Sequence, residues 1–455
     1  MINDVNQSMV YMEQALEQAP IAPTFRQAFW YWLKLGFISF GGPAGQIAVM
    51  HHDLVENKRW ISEKRFLHAL NYCMALPGPE AQQLATYIGW LMHRRLGGVI
   101  AGGLFVLPSL LILMLLSYVY MRFGEVPVVA GVLYGIKPAI VAIVLFAAYR
   151  IGVRTLKNGA LWSIAAASFV AIAVLKVPFP LIVLSAAIIG YIMNRFRPVL
   201  LASGGGHLAS QKSYGKAVID DDTPTPSHVR FSVKGLVIIL VVGIAIWLAG
   251  MLLLILRYGW DATLTQMAWF FTKAALLTFG GAYAVLPYVF QGAVAQYAWL
   301  TPTQMMDGLA LGETTPGPLI MVVAFVGFVG GWSHIPFADP LVAGITAACI
   351  VTFFTFLPSF IFIFAGAPLI ESTQDNLKFT APLTTITAAV VGVIASLAVF
   401  FAQHIFWPSG LSRSIDWIAL LATVAAGFVL FKFKLNIIKL IGIFALFGLI
   451  HHWLI

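Results

Sequence analysis

Two lysines and two carboxylates stand in stretches of this chain that are otherwise apolar, each beside a helix-breaking motif. Lys34 and Lys273 lie six positions before the Phe of Phe40-Gly41-Gly42 and Phe279-Gly280-Gly281, Glu80 follows Pro77-Gly78-Pro79 directly, and Glu313 lies three positions before Pro316-Gly317-Pro318. A charge within a bilayer costs about 2.5–3.5 kcal/mol on insertion scales, so such residues point to function. A helix interrupted at these motifs leaves amides unpaired, and the half-helix that starts after each break offers free N–H groups and a positive dipole end, which attract anions. Four such ends with a symmetric pair of lysines suit a divalent anion. Buried carboxylates such as Glu80 and Glu313 suit proton carriage, because burial favours their neutral form. Gln82, Gln83 and Thr315, with Ser39, Thr278 and Thr314 nearby, could hydrogen-bond the oxygens of an oxyanion. Each reading has a structural alternative. The lysines could snorkel, six residues being only about 9 Å; Glu80 could offset its helix dipole; the hydroxyls could bond their own backbone; and the glycines and prolines could be packing kinks.

The breaks occur twice at one spacing. Trp30, Lys34, Phe40-Gly41-Gly42, Trp60 and Pro77-Gly78-Pro79 recur 239 positions later as Trp269, Lys273, Phe279-Gly280-Gly281, Trp299 and Pro316-Gly317-Pro318, without a gap. Leu107-Pro108-Ser109 recurs as Leu357-Pro358-Ser359, displaced by 250 after a short insertion. The chain is therefore two related halves.

Composition fixes the class. With 60% hydrophobic and 10% charged residues in 455, against about 25% charged in a soluble domain, this is an all-α polytopic membrane protein. The net charge of +9 sits at the ends of apolar segments rather than on a basic face, which argues against nucleic acid. Cys73 and Cys349 lie in apolar stretches and read as packing residues. His51-His52 and His451-His452 are adjacent pairs on different helix faces with no cluster to complete a shell, so no metal or cofactor is expected. No nucleophile elbow, phosphate loop or His-Glu-x-x-His gives an enzyme reading support.

The elements that must hold the breaks follow from the apolar runs. Residues 1–24 carry Asp4, Glu13 and Glu17 and read as a soluble cytoplasmic tail. The first repeat, 25–197, begins with two pairs of arms too short to cross the ~30 Å hydrocarbon core, which suit re-entrant hairpins tipped by Gly-Gly and Pro-Gly-Pro. Full crossings are expected at 97–121, 127–149, 158–176 and 178–194. Residues 198–234, rich in Gly, Ser, Asp and Thr-Pro, read as a solvated cytoplasmic linker, 235–256 as one linking crossing, and 264–455 as the second repeat, with crossings near 338–364, 384–403, 415–431 and 435–454.

Four crossings plus one put the second repeat upside down relative to the first. The charges agree. Lys58, Arg59, Lys64 and Arg65 surround Trp60, whereas 296–304 around Trp299 has no Lys or Arg, and Arg94-Arg95 faces Trp332-Ser333-His334 in the other copy. Of the 27 basic residues, only Arg122, Lys176, Arg257 and Arg413 fall on the poorer side, with Lys34, Lys137 and Lys273 inside. The positive-inside rule then expects a cytoplasmic N-terminus and an external C-terminus. Lys137 has Thr387 as its mate and reads equally as an ion-pair residue or a substrate contact.

Phe40-Gly41-Gly42-Pro43-Ala44, Ala75-Leu76-Pro77-Gly78-Pro79-Glu80-Ala81-Gln82-Gln83 and the second-copy Phe279-Gly280-Gly281 with Thr315-Pro316-Gly317-Pro318 closely resemble the chromate ion transporter family in its long two-domain form. The resemblance covers nearly the whole chain from about Phe25. It implies a bacterial inner-membrane, multi-pass protein that exports chromate, confers chromate resistance and draws on the proton-motive force. The second copy has Leu319 where the first has Glu80, so the glutamate role carries over to Glu80 alone. The expected partners are the chromate anion and the lipid bilayer. Sulfate as cargo, a general oxyanion carrier, an anion channel and a homodimer stay open as alternatives.

Overall fold

A computed structural model of the protein describes residues 20–454 apart from 41, 197–213, 224–225, 280, 336, 373–379, 409, 411–413 and 434. Gly41, Gly280, most of the expected N-terminal tail and residues 198–213 of the linker thus lie outside the described residues. The described chain is helical, with one isolated bridge between Ile61 and Ile219.

In the first copy the helices are α1 (Phe25–Ile38), α2 (Gly42–His51), α3 (Glu63–Ala75), α4 (Glu80–Phe123), α5 (Pro127–Thr155), α6 (Gly159–Ala173) and α7 (Phe179–Phe196). After the linking helix α8 (Val233–Tyr258) come α9 (Thr263–Leu276), α10 (Ala282–Phe290), α11 (Pro302–Thr314), α12 (Val322–His334), α13 (Pro340–Ser372), α14 (Thr380–Phe406), α15 (Trp417–Phe433) and α16 (Ile437–Leu454). Seven of these, α4, α5, α7, α8, α13, α14 and α16, are long and apolar enough to cross a membrane. At the other two expected crossings stand α6 and α15, 15 and 17 residues long and so about 22–26 Å.

The sequence repeat is also a repeat of local structure. Both α2 and α10 run into a π-helical turn, His52–Asn57 and Gln291–Gln296, and each turn is followed by a non-glycine residue in the left-handed region, Arg59 at φ 48° and Ala298 at φ 50°. Ser62 and Thr301 then cap α3 and α11 by accepting from the amide three residues on, which satisfies an otherwise orphaned N–H. The copies differ after Pro-Gly-Pro. In the first, α4 folds back on itself at the non-helical His93 and Arg94, the latter at φ 56°, so that Gly89 lies against Ala101 and Gly102 against Gln82 and Thr86, whereas in the second the chain stops at His334 and restarts at Pro340. The arm after Pro-Gly-Pro and the stretch that follows it are thus separate in both copies, joined by a sharp reversal in the first and by a longer segment before Pro340 in the second.

The copies are intertwined. Helix α5 packs on α15 and α16, and reciprocally α14 packs on α6 and α7. Their hairpins are not equally enclosed. Those of the first copy form a core of their own from Trp32, Leu35, Phe66 and Tyr87, closed by Ile363 and Ala367 of α13. Those of the second merge Phe270, Phe271, Phe325 and Phe328 into a larger core shared with α5 and α14.

One stretch of the linker is pinned rather than loose. The Val218 and Ile219 amides donate to the Arg59 and Trp60 carbonyls, the Ser62 amide donates back to Ile219, and the Ser62 hydroxyl donates to Asp221 at 2.7 Å. Asp221 and Asp222 in the same stretch are exposed.

Candidate functional site

The two kinds of break meet each other, crosswise. The amide of Gly78 donates to the Thr278 carbonyl at 2.8 Å, and the amide of Gly317 donates to the Ser39 carbonyl at 2.7 Å. Ser39 and Thr278 are repeat mates, as are Gly78 and Gly317. Each Pro-Gly-Pro tip therefore satisfies the last exposed carbonyls of the other copy's first arm, which helix termination leaves without intrahelical partners. Gly78 and Gly317 adopt φ 129° and 93°, and a Cβ on Gly78 would lie 2.5 Å from the Ser359 hydroxyl while one on Gly317 would lie 2.8 Å from the Ser109 Cβ. Ser109 and Ser359 are again mates, so the tips and the repeated Leu-Pro-Ser segments within α4 and α13 pack in the same crossed fashion.

Around this exchange lie buried polar atoms without a hydrogen-bond partner among the described residues: the hydroxyls of Ser39, Ser109 and Ser359 and the amide oxygens of Gln46, Gln82 and Gln83. Buried polar groups are satisfied in the great majority of cases, so this concentration marks polar capacity held in reserve. Gln46 donates to the Ser39 and Gly317 carbonyls, joining both kinds of break. Gln83 donates to Pro77 at 2.8 Å, and Gln82 to the Thr86 hydroxyl at 3.0 Å. The starts of α2 and α10 are set by Gly42 at φ 71° and Gly281 at φ 93°. A Cβ on Gly42 would meet nothing within 4 Å, and one on Gly281 would meet only the Glu80 carboxylate at 4.0 Å. Space is left at these two N-termini.

Both carboxylates turn toward the second copy's Gly-Gly break. Glu80, half-buried at the start of α4, faces Gly281 and has no hydrogen-bond or ion-pair partner among the described residues. Glu313 accepts a hydrogen bond from the Tyr283 hydroxyl, two residues past Gly281. The Thr278, Thr314 and Thr315 hydroxyls donate to the carbonyls of Ala274, Leu311 and Gly312 within their own helices. Phe40, Phe279, Pro77, Pro79, Pro316 and Pro318 frame the breaks in the chain.

The lysine pair lies elsewhere. Lys34 is exposed on the outward face of α1, together with Trp30, Phe37 and Ile38. Lys273 is half-buried, with its ammonium 5.4 Å from the centre of the Trp269 ring. Among the described residues neither ammonium has a hydrogen-bond or ion-pair partner.

Two charged clusters close opposite ends of the antiparallel α4–α13 pair. At one end Lys137 of α5 pairs with Asp307 of α11 at 3.5 Å, and the Tyr120 hydroxyl donates to Asp307 at 2.9 Å. At the other, Arg65 of α3 pairs with Glu371 of α13 at 3.5 Å, and the Tyr87 hydroxyl donates to Glu371. The mate of Asp307 is His68, which approaches the Ile370 carbonyl at 3.3 Å, and Ile370 is the mate of Tyr120. The same crossed contact is thus built with different chemistry at each end. Of the two readings of Lys137, the ion pair is the one observed. Asp307, Glu371, Gln46 and Tyr283 escaped sequence reasoning, although Asp307 in Met305-Met306-Asp307-Gly308-Leu309 carried the signal that flagged Lys137, a charge in an apolar run.

Comparison with known proteins places these features. The family model described as "Chromate transporter" matches residues 26–191 and 265–449, one match on each copy. A chromate transport protein of Cupriavidus metallidurans is 30% identical over 434 residues, 94% of each chain. A chromate transport protein of Pseudomonas aeruginosa is 32% identical over 391 residues, 85% of this chain and 83% of that one. An uncharacterised transporter of Bacillus subtilis is 32% identical over 120 residues, only 26% of this chain but 67% of its own length. No solved structure matches.

Proposed function

Because the chain belongs to the chromate transporter family, we propose that it exports chromate across the inner membrane of a bacterial cell, that the proton-motive force drives it, and that resistance to chromate follows. The observation that carries the reading is the crossed pair of amide bonds, Gly78 to Thr278 and Gly317 to Ser39. It gathers the breaks of two copies, and with them the half-helix N-termini that favour an anion, around serine hydroxyls free to donate.

In this reading the two copies are inverted repeats, 25–197 and 264–455, joined by the 198–234 linker and the 235–256 crossing, with the N-terminus cytoplasmic and the C-terminus external. Chromate lies between the starts of α2, α4, α10 and the segment after Pro318, held by backbone amides and the Ser39, Ser109 and Ser359 hydroxyls. Glu80 and Glu313 take up protons beside it. Protonation removes negative charge from the Gly281 side, so cargo and proton affinities are linked. The Lys137–Asp307 and Arg65–Glu371 clusters bar the two exits, and alternating access opens one while the other stays paired. Lys34 and Lys273 enter as cations at the rim rather than as ligands of the bound anion.

Uptake of labelled chromate and labelled sulfate into everted vesicles, with and without an imposed proton gradient, tests the proposal. Gradient-dependent chromate accumulation that excess sulfate does not abolish supports it. Equal sulfate transport would make the protein a general oxyanion carrier, and flux indifferent to the gradient would make it a channel.

A further inference from the structure

An apolar groove of about 520 Å3 opens between α4, α8 and α13, away from the breaks. Phe356 and Phe360 of α13 form its floor, Val99 and Val106 of α4 one wall, and Ile239 and Val242 of α8 the other. Gly98 packs on Phe364 while Gly243 packs on Ile361, so α4 and α8 run parallel to each other and antiparallel to the floor. The Arg95 end of the second stretch of α4 and the N-terminal end of α8 therefore share one mouth. Arg95 lines that mouth, exposed and without a hydrogen-bond or ion-pair partner among the described residues. Ile238 of α8 lines the same mouth, Lys234 stands one turn before it on the outer side, and Arg94 is exposed at the adjoining reversal. No acidic residue lines the groove. From Arg95 to Leu110 it runs about 22 Å, deeper than one leaflet's ~15 Å of hydrocarbon.

We propose that this groove is a binding site for one anionic phospholipid, with an acyl chain laid between α4 and α8 and the phosphate on Arg95 and Lys234. Charge complementarity selects this occupant. A trough apolar but for Thr352 and for Arg95 at its mouth fits a hydrocarbon chain, an unpaired guanidinium at that mouth fits a phosphate as a planar fork of donors, and a second neutral helix would leave both cations uncompensated. The site also has a route to the breaks. A Cβ on Gly102 would lie within 2.7 Å of the Thr86 hydroxyl, the Gln82 amide and the Phe360 ring, so the wall against which the chain lies is backed by the half-helix that follows Pro77-Gly78-Pro79. A bound chain steadies the later stretch of α4, through Gly102, against Gln82 and Thr86 of its first stretch.

Native mass spectrometry of the detergent-purified full chain tests this with phosphatidylglycerol and phosphatidylcholine of identical acyl chains, each titrated alone and in competition. Phosphatidylglycerol is expected to be retained about tenfold or more better, the scale of one charged hydrogen bond. The Arg95→Gln/Lys234→Gln variant should reduce that preference to near unity while both lipids still bind weakly. Gly103 lines the groove and has nothing within 4 Å of a built Cβ, so Gly103→Leu fills the groove without disturbing the fold and should abolish retention of both lipids. Added inorganic phosphate should not compete. Equal retention of the two lipids, a preference that survives the double substitution, or retention that survives Gly103→Leu overturns the proposal.

Discussion

The amide of Gly78 donates to the carbonyl of Thr278, and the same bond is made a second time with the copies exchanged, from Gly317 to Ser39. A contact that recurs crosswise ties the tip of one copy's second hairpin to the end of the other's first arm. This coupling sets different costs for the four described glycines. At Gly78 and Gly317 alanine meets both the left-handed backbone and a neighbour at 2.5 or 2.8 Å. At Gly42 and Gly281 only the backbone conformation resists, about 1–3 kcal/mol. Gly78→Ala and Gly317→Ala should therefore lower the thermal midpoint in detergent clearly more than Gly42→Ala and Gly281→Ala. Equal shifts at all four sites would mean that the crossed packing contributes nothing.

For the carboxylates, Glu80→Gln and Glu313→Gln should each leave protein in the membrane near wild-type abundance while chromate uptake into everted vesicles loses its response to an imposed pH gradient. Tyr283→Phe removes only the donor to Glu313 and should weaken that response rather than remove it. Gradient response retained in both Gln variants would assign coupling to other residues.

The lysines are expected to tolerate change. Lys34 points outward and Lys273 lies over Trp269, so Lys34→Arg and Lys273→Arg should leave the concentration dependence of chromate transport unaltered, arginine making the same cation–π contact. Lys34→Gln should cost membrane insertion more than affinity. A tenfold or greater loss of apparent affinity in both Gln variants would restore the paired-cation site.

What could be read from the sequence alone was whatever residue identity carries. Two copies, their shared offset and the four breaks are visible because Gly, Pro and Trp recur at fixed spacing, and the same spacing holds for the π-helical turns at 52–57 and 291–296. Which face of a helix is buried was not legible. Phe25–Ile38 has only Arg26, Gln27 and Lys34 as polar residues, and a lysine in such a segment reads equally as a buried ligand or as an outward-facing cation; the packing decides it, with Tyr31, Trp32 and Leu35 inward and Trp30 and Lys34 out. Nor could spacing reveal the crossing itself, since Ser39 and Gly317 are distant in the chain and meet only through the packing of one copy on the other. Asp307 was legible in kind but not in partner.

The Lys137–Asp307 pair allows a test that separates a gate from a prop. Asp307 is 3% exposed and Lys137 24%, and removing one partner of a buried pair strands the other at a cost of about 3–5 kcal/mol. Lys137→Met and Asp307→Leu alone should each reduce folded protein in the membrane. Replacing both with apolar side chains removes the stranded charge, so the double variant should regain most of the lost stability in a double-mutant cycle. If the pair bars an exit, that well-folded double variant should still transport poorly or leak chromate without a gradient, because nothing re-forms at that end when the other opens. A double variant with wild-type stability and wild-type coupled transport would reduce the pair to a structural contact and leave the Arg65–Glu371 cluster as the remaining gate to test.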